Sequence, residues 1–314
     1  MKLDIKNISI AILGTGAVGS YVGACLQQSG CDIHFLARST YKAIKSDGIT
    51  VHEADGKIFN IKTVKVYNNT DTLPKADVVI LTTRTAQNKS LFASLVINNL
   101  LKTNGIVISL QNGIDFERAI IAAISPHELL SGTSWIKVTQ LTPSVVRHDF
   151  GNRILLGTYH NERLNVPVSQ SGKKVKALLE HAGFAVELIE NIQAVQWTKL
   201  ALNLPLFAFM ALYKKSASEL LNNETWNQQI TTFRQELINT AQACSCPVDH
   251  IFIDKTLADL KKMSIPSQKI IDAAANRVRV EIEANFGNLL RLLEKKKITA
   301  LLLRNYYEKL SNFS

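Results

Sequence analysis

Cysteine, proline and glycine are all scarce in this chain of 314 residues, which holds 4, 7 and 15 of them. The four cysteines, Cys25, Cys31, Cys244 and Cys246, make no C-x-x-C pair and have no histidine at zinc spacing. That excludes a disulfide framework and a zinc module, and reduced thiols of a cytoplasmic protein with no metal are the expectation. So few glycines and prolines leave no low-complexity stretch, and no repeat recurs at solenoid periods. Long apolar runs are missing too. The longest, 200–213, is interrupted by Asn203 and Pro205 and is too short to span a bilayer, so a buried helix and no membrane partner are expected. No signal peptide is expected ahead of the first strand. Acidic residues are outnumbered, 26 against 36 Lys and Arg, for a net charge of +10. The cations are scattered among glutamates, and the densest cluster, Lys295-Lys296-Lys297, reads as a solvated helix end. Without aromatic interleaving or a recognised motif, nucleic acid is not an expected partner. An anionic cofactor and an anionic substrate are the better use of the charge.

The chain has 46% hydrophobic and 20% charged residues, ordinary for a globular protein, and enough length for two domains. A short apolar run, Ile8 to Leu13, stops at Gly14, and Gly14, Gly16 and Gly19 follow in the spacing G-x-G-x-x-G. A helix is expected over 21–28. Strand, glycine turn and helix form the context in which this pattern binds a dinucleotide. Gly14 makes the tight turn, Gly16 lets the backbone approach a pyrophosphate, and Gly19 lets helix and strand pack closely. Thr15, Ala17 and Val18 complete the cradle, whose N–H groups sit at the positive end of the helix. A second strand over 32–38 ends at Ala37-Arg38-Ser39, with no carboxylate to take a ribose 2′-OH. Arg38 suits a 2′-phosphate instead, which favours NADP over NAD.

A hairpin-like insertion is expected over 49–67. A third main strand over 77–82 ends at Thr83-Arg84, and a helix is expected over 91–101. A fourth strand over 106–110 ends at Gln111-Asn112-Gly113. Both strands finish on the carboxyl edge, where open α/β sheets bind ligands. Residues 130–159 read as looser outer strands, followed by a helix over 173–182 and a strand over 185–189. From 192 onward helical periodicity takes over, with candidate helices at 192–213, 217–244, 251–263, 267–295 and 298–311. The expected architecture is α/β: a Rossmann-like doubly wound parallel sheet over 1–190, then an all-helical domain over 191–314.

Within the helical part, Trp197-Thr198-Lys199-Leu200-Ala201-Leu202-Asn203 stands out. Lys199 and Asn203 share one helix face among apolar neighbours. The lysine either reaches to solvent or faces a cleft. The glycine fingerprint with Arg38, the Gln111-Asn112-Gly113 turn, the Trp197-x-Lys199-x-x-x-Asn203 helix and a late Glu281-Ile282-Glu283 with Asn285-x-Gly287 occur together in this order. In this the chain resembles the ketopantoate reductase (2-dehydropantoate 2-reductase) family over nearly its whole length.

The resemblance implies NADPH-dependent reduction of a 2-oxo acid, with 2-dehydropantoate reduced to pantoate for coenzyme A synthesis. It implies Lys199 as general acid, Asn203 on the substrate, Asn112 at the nicotinamide ribose and active site, and Glu281 as the acid positioning the catalytic groups. A carboxylate beside Lys199 would raise its pKa. Arg84 stands where the family has a lysine, which keeps a cation for phosphate. The chain also departs from the family pattern. Phe207 replaces a substrate asparagine, and the family's carboxylate-binding serine is replaced by Lys269, with Ser267 two residues upstream. The proline-asparagine signature after Ile298 is missing. These departures keep two other readings open, a reductase of another branched 2-oxo acid and a non-catalytic NADP-binding sensor. A homodimer is compatible with the apolar helices, which look alike whether they are buried or dimer-forming.

Overall fold

The β-branched run near the N-terminus becomes β1, Ser9–Leu13, in a computed structural model of the chain. The residues described are 8–85, 99–160, 163–266, 268, 271–272, 275–276 and 282–312. β1 pairs in parallel with β2 (Asp32–Leu36) on one side and β6 (Ala76–Leu81) on the other. β5 (Lys65–Tyr67) continues beyond β2, while β7 (Leu101–Ser109) and β8 (Glu128–Thr142) continue beyond β6, all parallel. Numbered along the chain, these six strands lie in the order 3-2-1-4-5-6. That is the doubly wound order, which reverses between β1 and β6 and opens a crevice at their carboxyl ends. Ile10, Ile12, Leu13, Val79, Ile80 and Leu81 have no exposed surface, as central strands covered on both faces require.

The remaining strands extend the sheet. β8 turns back into β9 (Val145–Thr158) as one long antiparallel pair, and β10 (Ala185–Leu188) lies parallel to β9. The outer strands expected over 130–159 are thus part of the sheet, as one long continuous pair. The hairpin is β3 (Ile49–His52) with β4 (Ile58–Ile61), turning at Asp55-Gly56. It joins β9 at the far edge rather than strands near it in sequence. A buried polar cluster ties the hairpin to the helix α1 (Ala17–Gln28): Glu53 Oε2 and His148 Nδ1 are 2.8 Å apart, and the Tyr21 ring stacks on His148 at 4.7 Å. Tyr21 also donates to Glu53 at 3.3 Å. Of the helix expected over 91–101, residues 91–98 lie outside those described, Asn99 and Leu100 are helical, and Leu101 already belongs to β7.

The chain divides into two compact units, Met1–Gln111 with Glu117–Ile192, and Asn112–Phe116 with Gln193–Ser314. The short loop 112–116 groups with the helices although it follows a sheet strand. In the helical unit the long helix Ile192–Tyr213 continues without a break past Pro205. By length and composition it could cross a membrane, but most of it is buried in the protein, as a core helix is. The helix expected over 217–244 is two helices, Ala217–Asn222 and Glu224–Ala243. Ser216 and Glu219 form a capping box on the first, and the Asn223 side chain caps the second, so local side-chain acceptors start a new helix there. Further helices are His250–Lys262, Asn288–Lys296 and Leu301–Ser311. Phe209, Phe233 and Tyr306 bring three of the helices together, with ring centroids 4.7 Å apart for Phe233 and Tyr306 and 5.3 Å for Phe209 and Tyr306. Each such pair contributes about 0.5–1.5 kcal/mol beyond its buried area. Glu236 accepts from the backbone N–H groups of Leu302 and Leu303 at 2.9 and 2.8 Å, capping the last helix from a neighbour. All four cysteines are buried and free.

Candidate active site

The glycine turn sits where the sheet order reverses. Gly14 has φ +110°, a conformation that side-chain-bearing residues rarely adopt, and a Cβ there would press on the backbone of Thr83. At Gly19 a Cβ would run into the carbonyl oxygen of Gly14 and the Thr82 hydroxyl. Around Gly16 the surroundings are open: among the described residues, none beyond its own chain neighbours has an atom within 4 Å of a Cβ built there. Two glycines are therefore demanded by packing, and the middle one leaves room for another molecule to approach the backbone. Gly16 is the N-cap of α1, whose first turn carries no acidic side chain, so the N-terminal N–H groups are left to an anion.

Thr82, not among the site residues expected from the sequence, clamps this turn. Its N–H donates to Leu13 at 3.0 Å and its hydroxyl to the Gly14 carbonyl at 2.7 Å, joining the ends of β1 and β6. The signal was its position as the last residue of the third main strand, beside Thr83. Gln111 braces the next strand end by donating to the Thr83 carbonyl and hydroxyl at 2.8 and 3.0 Å. Thr15 and Thr40 meet through their hydroxyls, which fixes the loop after β2 against the turn. Arg38 and Ser39 stand exposed at that strand end, and Arg84 is exposed beyond β6. The structure thus brings Gly14, Thr15, Gly16, Ala17, Val18, Gly19, Arg38 and Arg84 to the carboxyl edge of the sheet.

The second set of side chains lies in the helical unit. Lys199 Nζ donates to Asn112 Oδ1 at 3.1 Å, which joins two residues 87 positions apart in the chain. The helix that carries Lys199 is anchored on both sides of it. Trp197 is 3% exposed, and the Thr198 hydroxyl donates to the Ala194 carbonyl at 2.9 Å while accepting from Asp249 N–H at 3.0 Å. Lys199 retains some solvent exposure as a residue, but burial of the ammonium lowers its pKa to about 8. The direction is opposite to the rise that a neighbouring carboxylate would give, because desolvation disfavours the charged form. A lysine brought near neutrality can release and regain a proton at physiological pH, as an acid–base catalyst must. Asn203 follows one turn later on the same face. Ser267, Lys269 and Glu281 lie outside the described residues.

Two family models match the chain. Ketopantoate reductase PanE/ApbA covers residues 10–161, and its C-terminal counterpart covers 191–313. The 2-dehydropantoate 2-reductase of Nostoc sp. is 30% identical over 280 residues, 88% of this chain and 86% of that protein. The chain belongs to the ketopantoate reductase family. Among solved structures, 2-dehydropantoate 2-reductase from Geobacter metallireducens superposes with a TM-score of 0.86 at 24% identity, covering 98% of this chain and 100% of the other. A ternary structure of D-mandelate dehydrogenase with NADH and anilino(oxo)acetate superposes with a TM-score of 0.82 at 20% identity, covering 96% and 97%. Both likenesses are at the level of the fold.

Membership makes the chain an oxidoreductase acting on a CH–OH group with a nicotinamide dinucleotide, of the type that reduces 2-oxo acids. The geometry fits such a cofactor: the space at Gly16, the unopposed N-terminus of α1 and the cation at the end of β2 suit a pyrophosphate and a ribose.

Proposed function

We propose that this ketopantoate reductase family member uses NADPH to reduce a branched 2-oxo acid to its 2-hydroxy acid, the class to which 2-dehydropantoate, the substrate named in its relatives, belongs. The observation that carries this reading is the Lys199–Asn112 pair with its lowered lysine pKa. Bound NADPH supplies the hydride. Lys199 directs its ammonium at the carbonyl oxygen, polarises the C=O and delivers the proton that completes the alcohol. Asn112 holds the ammonium through its side-chain oxygen, and its amide group is left to meet cofactor or substrate. Asn203 binds the substrate, Ser267 and Lys269 supply partners for its carboxylate, and Glu281 positions the catalytic groups.

The cradle of Gly14, Thr15, Gly16, Ala17, Val18 and Gly19 holds the pyrophosphate. Arg38 pairs with the 2′-phosphate, and Arg84 adds a second cation for the cofactor's anionic groups. Placement in the pantothenate route follows if 2-dehydropantoate is the substrate, in a cytoplasmic enzyme free or paired as a homodimer. Phe207 favours the second reading, a more apolar branched 2-oxo acid. The sensor reading leaves the Lys199–Asn112 pair without a use. Steady-state oxidation of NADPH against a panel of 2-oxo acids tests the proposal, which fails if no member of the panel is reduced.

A further inference from the structure

The long helix Ile192–Tyr213 is buried almost all round. From Gln196 to Ala211 every residue is buried except Lys199, Asn203, Phe207 and Met210. At 100° per residue these four fall within an arc of about 80° and a length of about 16 Å, so they form one open row. Its first half is polar and holds the ammonium bonded to Asn112. Its second half is a phenyl ring and a thioether.

A solvated helix face carries charged and amide side chains, and a packed face is closed; this row is neither. Side chains on a helix lean toward its N-terminus, so Phe207 covers the surface over the turn of Asn203 rather than its own. The ring therefore stands beside the polar pair, and Met210, unbranched and adaptable, backs it along the same row. A charged or polarisable end followed by an apolar wall fits a small acid whose reacting carbonyl meets Lys199 and whose carbon side chain runs toward Phe207.

We propose that Phe207 and Met210 form the wall that receives the substrate's side chain, so that the enzyme prefers 2-oxo acids with a branched or aromatic hydrocarbon there over those with a terminal hydroxyl. This rests on Lys199 being the proton donor. The hydroxyl of 2-dehydropantoate would lose its water against this wall and find no partner on either side chain. A pocket of this kind rejects an added hydroxyl by up to about 100-fold, whereas a site built to bind a hydroxyl rejects its absence far more strongly.

The test compares kcat/KM for 2-dehydropantoate, its deoxy counterpart 3,3-dimethyl-2-oxobutanoate, and phenylglyoxylate, all with NADPH. The wild type is expected to favour the two hydrocarbon acids by about 10-fold or more. Phe207→Asn is expected to shift that ratio toward 2-dehydropantoate by at least about 10-fold, and Phe207→Leu to keep the wild-type order. Met210→Gln is expected to move the ratio in the same direction as Phe207→Asn. The far-ultraviolet circular dichroism and melting temperature of each variant show that it is folded, and sedimentation reports its association state. A wild-type preference for 2-dehydropantoate that neither asparagine nor glutamine alters overturns the inference while leaving the reductase reading standing. So does a Phe207→Asn variant that changes association state and not substrate ratio, since the row would then face another chain. No turnover of any of the three acids by the wild type overturns the reductase reading, and this inference with it.

Discussion

Burial of the Lys199 ammonium puts a specific pH limit on catalysis under the proposed mechanism. There the protonated form is the acid, so reduction needs the charged lysine. With a folded-state pKa of about 8, lowered by desolvation from 10.5, that form is full at acidic and neutral pH and is lost as pH rises through 8. An unburied lysine would stay charged for two further pH units. At pH 9.5 a group of pKa 8 retains about 3% of its proton against about 90% for one of pKa 10.5, so the two cases differ about 30-fold in rate. The assay is the initial rate of NADPH oxidation with subsaturating 2-oxo acid from pH 6 to 10.5, giving kcat/KM, which reports groups of the free enzyme. Rates in the oxidative direction, with the 2-hydroxy acid and NADP, should rise through the same pH as the neutral amine becomes the base. A reductive profile flat to pH 10 would refute the assignment of this buried ammonium as the acid. Asn112→Asp sharpens the test. A carboxylate 3.1 Å from Nζ, where the amide oxygen now stands, favours the charged lysine and should move the falling limb up by about one to three pH units.

Other expectations follow from the same structure. Arg38→Ala should weaken NADPH about 10- to 100-fold by isothermal titration, the range of a lost charge-assisted hydrogen bond, while leaving NADH nearly unchanged; equal weakening of both would remove Arg38 from the 2′-phosphate. Gly19→Ala places a methyl group against the Gly14 carbonyl and the Thr82 hydroxyl, so dinucleotide binding should be lost or the melting temperature should fall, and a variant with both unchanged would contradict the packing. Arg234 is 7% exposed on the core face of Glu224–Ala243, and among the described residues neither its Nε nor its Nη2 has a partner. Burial lowers its pKa, only partly offset by Asp254. Arg234→Met should therefore be neutral or stabilising by about 1–3 kcal/mol in a urea titration, and a marked loss of stability would show that the guanidinium has a partner of its own.

The parts of this molecule that were legible in the sequence are those fixed by local spacing. Gly14, Gly16 and Gly19 have separate steric duties that only their intervals reveal, and the space around Gly16 matches the role read for it. The helical run from 192 was plain from its periodicity, although a proline inside the helix argued for a break. What escaped depends on partners distant in sequence. The hairpin β3–β4 pairs with β9, a strand about 95 residues later by its register, and nothing in residues 49–61 names that neighbour. The lowering of the Lys199 pKa was not legible for a similar reason: spacing located the lysine, but desolvation depends on how closely the fold encloses the ammonium. Met210 could be added to the row of Lys199, Asn203 and Phe207 only once the burial of its neighbours was known. The division at Asn112 is another such case, because a loop that ends a sheet strand groups with the helices, and its Asn112 meets a lysine 87 residues away.

The central claim is that Lys199 donates the proton in reduction of a 2-oxo acid by NADPH. The most direct measurement is single-turnover oxidation of bound NADPH on mixing with saturating 2-oxo acid, for the wild type and for Lys199→Ala, with equal NADPH affinity confirmed first. Removing a positioned general acid lowers the rate of the chemical step by about 10²- to 10⁴-fold, and that loss is the result expected here. Equal single-turnover rates in the two proteins would contradict it.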